Sequence, residues 1–254
     1  MILDSFRLDG QVALVTGARQ NLGQAMALAL AEAGADISAL DVEDVIETSQ
    51  AVRAMGRRCQ PIACNLRSAS VTDLQQVVAK TVADLGRLDI LVNNAGIIRR
   101  SPALDFSEVD WDDVLQVDLK AVFFLSQAAA RMMLPQKRGK IINIVSLLSF
   151  QGGIVVPSYT AAKSGAAGLT RALANEWARY GVNVNAIAPG YMVTEVTAAL
   201  RSDPSRATAI LERIPAERWG SPDDLKGTVV FLASAASDYL HGAIVPVDGG
   251  WLSR

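Results

Sequence analysis

The chain has 254 residues, half of them hydrophobic, with 24 basic against 26 acidic side chains and a net charge of −2. That length and apolar content fit one large α/β domain with a substantial buried core. The even charge balance argues against a nucleic-acid surface, and no apolar run approaches the ~20 residues needed to cross a bilayer.

Short β-branched runs alternate with longer helical patterns. Strands are predicted at Val12–Thr16, Asp36–Leu40, Pro61–Asn65, Leu88–Val92, Lys140–Val145, Val182–Ile187 and Ala243–Val247. Most are continuous apolar runs, as expected of parallel strands covered on both faces. Helices are predicted at Leu22–Ala33, Val71–Leu85, Trp111–Leu134, Tyr159–Tyr180 and Pro222–Ser234. Repeated right-handed β-α-β crossovers imply a doubly wound parallel sheet of the Rossmann type, of about seven strands with helices on both faces. The whole of 1–254 reads as a single domain. The polar, helical stretch Tyr191–Ile214 reads as an insertion over the C-terminal edge of the sheet and a candidate lid.

The first strand runs into Thr16-Gly17-Ala18-Arg19-Gln20-Asn21-Leu22-Gly23, which opens the first helix. A glycine turn there lets backbone N–H groups approach a pyrophosphate at a helix N-terminus. Asn21 replaces the usual middle glycine, and Asn tolerates positive φ. Asp41 ends the second strand, ~20 residues further on, where a carboxylate accepts hydrogen bonds from both adenosine ribose hydroxyls. The same charge repels a 2′-phosphate, so NAD is expected over NADP; Arg19 is the counter-evidence, because a guanidinium pairs well with phosphate. Asn93-Asn94-Ala95-Gly96 follows the fourth strand and Pro189-Gly190 the sixth. Asn93, Ala95 and Gly96 are placed near the cofactor, with a purely structural Asn93 as the other reading. Pro189 and Gly190 are placed at the nicotinamide wall, and Thr194 at its carboxamide.

Tyr159 and Lys163 stand four apart, one turn of a helix, with Ser146 at a strand end thirteen residues before the tyrosine. An adjacent ammonium is expected to lower the phenol's pKa from its usual ~10, suiting it to proton transfer.

Together, Thr16-Gly17…Gly23, Asn93-Asn94-Ala95-Gly96, Ser146, Tyr159-x-x-x-Lys163, Pro189-Gly190 and the closing Val247-Asp248-Gly249-Gly250 resemble the short-chain dehydrogenase/reductase family. The resemblance implies that Tyr159 is the general acid/base. Lys163 would tune it and hold the nicotinamide ribose, and Ser146 would polarise the substrate carbonyl. It places Asp118 where the family has an asparagine that positions a proton-relaying water, largely through its backbone carbonyl. It places Asn65, followed by Leu66, where the family has an aspartate beside the adenine. A tetramer of two-fold symmetry is the family's usual state.

Three further segments resemble the sugar-acid dehydrogenases of the family: Asn94 to Arg100, Ser149 to Gly153, and Ala188 to Met192. A carboxylate substrate needs a cation, and Arg99 or Arg100 is the candidate, against solvated loop arginines. Gln151 is a candidate for sugar hydroxyls and Met192 for closing the pocket from the lid. Reductases of other carbonyls, such as 3-oxoacyl thioesters, and a non-catalytic NAD-binding sensor are the rival readings. Cys59 and Cys64 are expected as free thiols, no metal site is expected, and His241 reads as a loop residue. The N-terminus lacks a signal-peptide pattern, so the expectation is cytoplasmic.

Overall fold

A computed structural model describes every residue from Met1 to Arg254. Seven strands form one sheet: β1 (Val12–Thr16), β2 (Asp36–Asp41), β3 (Cys59–Ala63), β4 (Ile90–Asn93), β5 (Gly139–Ile144), β6 (Val182–Pro189) and β7 (Ile244–Val247). Their order is β3-β2-β1-β4-β5-β6-β7, and every pairing is parallel. The chain builds outward from β1 to β3, then returns to lay β4 on the other side of β1. That reversal splays the loops after β1 and β4 and opens a crevice at the carboxyl ends of the strands.

The central strands are buried along their whole length, yet their side chains still alternate between two cores. Val15, Ile90, Val92, Ile142 and Ile187 face α1 (Asn21–Glu32) and the later helix Lys226–Ala233. Leu14, Leu91, Ile141 and Val184 face the opposite core, with residues of three other helices. Those three are Val71–Leu85, Ala121–Gln136 and Pro157–Trp177.

The remaining helices are α2 (Ile46–Ala54), α3 (Val71–Leu85), α4 (Glu108–Leu115), α5 (Ala121–Gln136), α6 (Pro157–Trp177), α7 (Ala198–Ser202), α8 (Pro204–Leu211) and α9 (Lys226–Ala233). Helix α3 has clear start and stop signals. The Ser70 hydroxyl accepts from the Asp73 N–H at 3.2 Å, the Asp73 carboxylate accepts from the Ser70 N–H at 2.8 Å, and Gly86 ends the helix at φ +92°. The stretch predicted as one helix over Trp111–Leu134 is α4 and α5 joined by a wide π turn at Gln116–Lys120. Such turns gather at functional sites because they re-aim one side chain, here the wholly buried Asp118. Helix α2 was not foreseen, and β3 begins two residues earlier than predicted. Cys59 pairs with Ile37 in the sheet, which extends β3 backward.

Candidate active site

The crevice gathers the ends of β1, β2, β4, β5 and β6. Gly17 has φ +66°, and Asn21 enters α1 at φ +52°, the left-handed conformation expected of it. Gly23 permits no side chain, since a Cβ there would lie 1.9 Å from the Gly17 carbonyl oxygen. Gln20, which precedes α1, provides no side-chain cap. The first-turn amides of α1 beside Leu22 therefore lack a side-chain acceptor and fit a pyrophosphate. Thr16 and Asn94 tie the two splayed loops together. The Thr16 hydroxyl oxygen accepts from the N–H of Asn94 and of Ala95, each at 3.0 Å, and the Asn94 amide donates to the carbonyls of Thr16 and Gly17 at 2.9 and 3.2 Å.

At the end of β2 the Asp41 carboxylate accepts from the N–H groups of Arg19 at 3.1 Å, Val42 at 2.8 Å and Glu43 at 3.3 Å. The Arg19 guanidinium leans onto the Glu43 carboxylate at 3.1 Å. Exposed Asn65 turns its amide oxygen to the Arg67 N–H at 3.1 Å, while the Leu66 side chain is buried in the core. Asn93 departs from the cofactor role expected of its side chain. It points into the interior and donates to Ser126 at 3.0 Å and Asn143 at 2.9 Å, linking β4 to β5 and α5. Its strand-end position faces two neighbouring elements with polar groups of their own, which take up its donors. Gly190 sits so close to Asp248 that a Cβ would lie 2.6 Å from the Asp248 Cα, which leaves Pro189-Gly190 as a flat wall. Thr194, buried, follows in the segment after β6.

Helix α6 carries Tyr159 and Lys163 on one face, with the Lys163 Nζ 5.5 Å from the Tyr159 ring centroid. The Ser146 hydroxyl, just past the end of β5, is on the phenol's side of the crevice and pulls its pKa down. Ser146 also accepts from the Leu148 N–H at 3.2 Å, and Ser149 donates to the Lys163 carbonyl at 2.8 Å, which docks the post-β5 loop on α6. The Lys163 ammonium donates to the Ile144 carbonyl at 2.9 Å and faces the Asp118 carboxylate at 3.2 Å. The other Asp118 oxygen accepts from the Ile97 N–H at 2.8 Å. Gly96 leaves room for this pair, because a Cβ there would come within 2.8 Å of Asp118 Oδ2 and 3.3 Å of Lys163 Nζ.

The expected fall in the Tyr159 pKa is corrected. Burial pushes the phenol above its ordinary range; Lys163, Ser146 and Arg100 pull it down, and the Asp118 charge pushes it up again. Lys163 divides its charge between phenol and carboxylate, so its pull does not prevail. Burial likewise pushes the Asp118 carboxyl up, against Lys163. Burial would lower the Lys163 ammonium, but Asp118 and Tyr159 outweigh it and the net direction is up.

On the substrate side the two arginines separate. Arg99 is spent on α4, with Asp110 at 3.1 Å and Asp113 at 3.5 Å, so it is not a free cation for substrate. Arg100 donates instead to the Val196 carbonyl at 2.9 Å, and its charge acts on the Tyr159 phenol. Gln151 accepts from Arg213 at 3.3 Å, and Arg213 lies 4.1 Å over the Trp251 ring. Met192 does not close the catalytic cleft. It is buried against Gly220 and lines a cavity of about 150 Å³ with Gly190, Tyr191 and Ile214, which neither Ser146 nor Tyr159 lines. An unbranched thioether fills that gap in the core more favourably than it would stand in solvent.

Residues 11–205 match the family described as short chain dehydrogenase. The chain belongs to the short-chain dehydrogenase family. It is 56% identical over 255 residues to 2-dehydro-3-deoxy-D-gluconate 5-dehydrogenase of Escherichia coli, with all of both chains covered. It is 51% identical to the enzyme of that name from Bacillus subtilis, with 99% of this chain and 98% of that one covered. Among solved structures, a gluconate 5-dehydrogenase from Burkholderia cenocepacia, in complex with NADP and tartrate, superposes with a TM-score of 0.94 at 39% identity, both chains covered completely. This short-chain dehydrogenase is accordingly an NAD(P)-dependent oxidoreductase that interconverts a ketone and a secondary alcohol. No helix in it is long and apolar enough to cross a membrane.

Several groups in this dehydrogenase escaped the sequence reading. Thr16 and Ser149 are ordinary hydroxyls whose partners are remote in sequence. The Ile144 carbonyl and the Ile97 N–H are backbone groups that no side-chain pattern marks. Arg201 and Arg213, in the segment between β6 and α9, sat unremarked, because acids stand close to each in sequence (Asp203 and Glu212) and nothing in the pattern marks either as unpaired.

Proposed function

We propose that this dehydrogenase oxidises 2-dehydro-3-deoxy-D-gluconate at C5, and reduces the 2,5-diketone in reverse. The observation that carries the substrate class is Arg100, a guanidinium that meets no carboxylate of the chain and whose charge reaches the catalytic phenol. A bidentate cation beside the reacting carbonyl suits a substrate that carries its own carboxylate. The identity to sugar-acid dehydrogenases over the full chain supports the same reading.

When bound, the nicotinamide supplies the donor or acceptor of hydride at its C4. Gly17, Arg19, Asn21, Leu22 and Gly23 would hold the pyrophosphate side, Asp41, Asn65 and Leu66 the adenosine, and Ala95, Gly96, Pro189, Gly190 and Thr194 the nicotinamide half. In reduction, Ser146 and Tyr159 donate hydrogen bonds to the C5 carbonyl oxygen, and Tyr159 transfers its proton to that oxygen as the alcohol forms. The raised phenol pKa keeps this proton in place at neutral pH. In oxidation the phenolate takes the hydroxyl proton, and the Lys163 ammonium stabilises the resulting charge. Asp118 holds Lys163 in register between the phenol and the Ile144 carbonyl.

NAD is the preferred cofactor, because Asp41 and the adjacent Glu43 put negative charge at the end of β2 and Glu43 engages Arg19. Replacing Asp41 with alanine should relax discrimination against NADPH by at least about tenfold in kcat/KM, the scale of one charge-assisted hydrogen bond lost. A native enzyme that prefers NADPH would reverse the assignment and promote Arg19. The chain works as one domain with Tyr191–Ile214 as its lid, and as a homotetramer. Exposed Val109 and Trp111 of α4 with Met132 of α5 support the assembly. Two free cysteines fit a reducing, cytoplasmic setting. The deciding experiment is steady-state reduction of 2,5-diketo-3-deoxygluconate with NADH, beside NADPH and a 3-oxoacyl thioester. Turnover of the thioester alone would overturn the substrate class.

A further inference from the structure

Two arginines from separate elements grip one turn of the lid. Arg100, in the loop after β4, donates Nη2 to the Val196 carbonyl at 2.9 Å. Arg201, in α7, donates Nη2 to the Thr194 carbonyl at 3.2 Å. The two carbonyls stand two residues apart, just beyond Pro189-Gly190. Neither guanidinium meets a carboxylate. The Arg201 Nε is buried and has no hydrogen-bond partner at all. A buried, charged donor without an acceptor is costly, and a second guanidinium on the same turn adds repulsion.

Nearby acids do not relieve this. Glu195 accepts from the Gln20 amide at 2.9 Å, and Asp203 caps α8 through the N–H groups of Ser205 at 3.0 Å and Arg206 at 3.1 Å. Asp110 and Asp113 hold Arg99. The loop after β4 and helix α7 therefore bring two cationic donors to one turn and leave the Arg201 Nε without an acceptor.

We propose that Arg100 and Arg201 form a two-armed receptor for the substrate's carboxylate, with Arg201 as the arm that the lid carries. This rests on the sugar-acid reading and adds a specificity-determining residue to it. The carboxylate satisfies the buried Arg201 N–H and neutralises both guanidinia, so an acidic substrate draws the lid down over the phenol while a neutral ketone does not.

The test compares the native enzyme with Arg201→Gln, Arg201→Lys and Arg206→Gln, a neighbouring lid arginine outside the receptor. Each is assayed on 2,5-diketo-3-deoxygluconate and on its C1 amide. Loss of one charge-assisted arm should lower the acid-over-amide ratio of kcat/KM by about 10- to 100-fold in Arg201→Gln. The change should fall on KM, Lys should restore part of it, and Arg206→Gln should keep the native ratio. D-gluconate binding to the NAD-loaded protein is measured by calorimetry in parallel. A gluconate Kd unchanged in Arg201→Gln overturns the receptor. A native enzyme that turns over neither the acid nor the amide overturns the substrate reading instead, and gluconate binding then decides the receptor by itself.

Discussion

Tyr159 and Asp118 show how one residue's chemistry is set by its neighbours. Replacing Tyr159 with phenylalanine removes the proton carrier but keeps the ring's packing. Turnover should fall by ~10²–10⁴-fold, the range for lost general acid–base help, while NADH binding measured by fluorescence stays near native. Because burial raises the phenol's pKa, the base form needed for alcohol oxidation accumulates only toward alkaline pH. Oxidation should therefore climb with pH above neutrality, and ketone reduction should fade over the same range as the proton is lost. Asp118→Asn keeps an oxygen for the Ile97 N–H but deletes the charge that pushes the phenol up. The oxidation limb of kcat/KM against pH should move to lower pH by about one unit, a typical size for one nearby charge. Movement the other way would mean that Lys163 loses its proton without Asp118, and would overturn the account of the pair.

Among the elements, the loop into α6 holds a β-branched residue in a strained backbone. Val155 is β-branched and sits at φ +58°, where such side chains are rare, while its carbonyl accepts from the Ser101 N–H at 3.0 Å. Strain of this kind costs ~1–3 kcal/mol, and glycine's extra chain entropy costs ~0.5–1. Val155 is 40% exposed, so little burial is lost on truncation. Val155→Gly should stabilise the protein by about 1 kcal/mol, visible as a Tm about 2–4 °C higher by calorimetry. A lower Tm would show that packing, not backbone strain, dominates there. The π turn at Gln116–Lys120 is the other irregularity at element scale. Its sequence carries ordinary helical periodicity, so the extra residue per turn was not legible. The end of β1 was legible down to the left-handed Asn21, because its conformational demand is local.

For the whole molecule, one reversal of strand order places the ends of β1 and β4 apart and the ends of β5 and β6 beside them. Thr16, Asp41, Ser146 and Gly190 come from the carboxyl ends of strands or the loops after them, where the alternation of strands and helices in the sequence was enough to put them; Asp118, Tyr159 and Lys163 come from helical turns that pack beside those ends. Assembly is a prediction at this scale. Light scattering should return a four-chain mass, and Val109→Glu, which puts a charge on the exposed apolar face of α4, should shift it toward smaller species. A monomer at assay concentration would remove the assembly from the account.

The alternation of strands and helices, the glycine turn, and the Tyr159–Lys163 pair follow from the sequence alone, because each depends on backbone preferences or on spacing along one helix; Ser146 joined that pair only through the resemblance to the family. Other properties needed the folded chain. Arg99 went to Asp110 and Asp113, while Arg100 met the Val196 carbonyl and no carboxylate. Asn93 turned inward, Lys163 found Asp118, and the phenol's pKa rose where a fall was expected. These outcomes are competitions among groups far apart in sequence, settled by a few ångströms of separation and by the loss of water around buried charge.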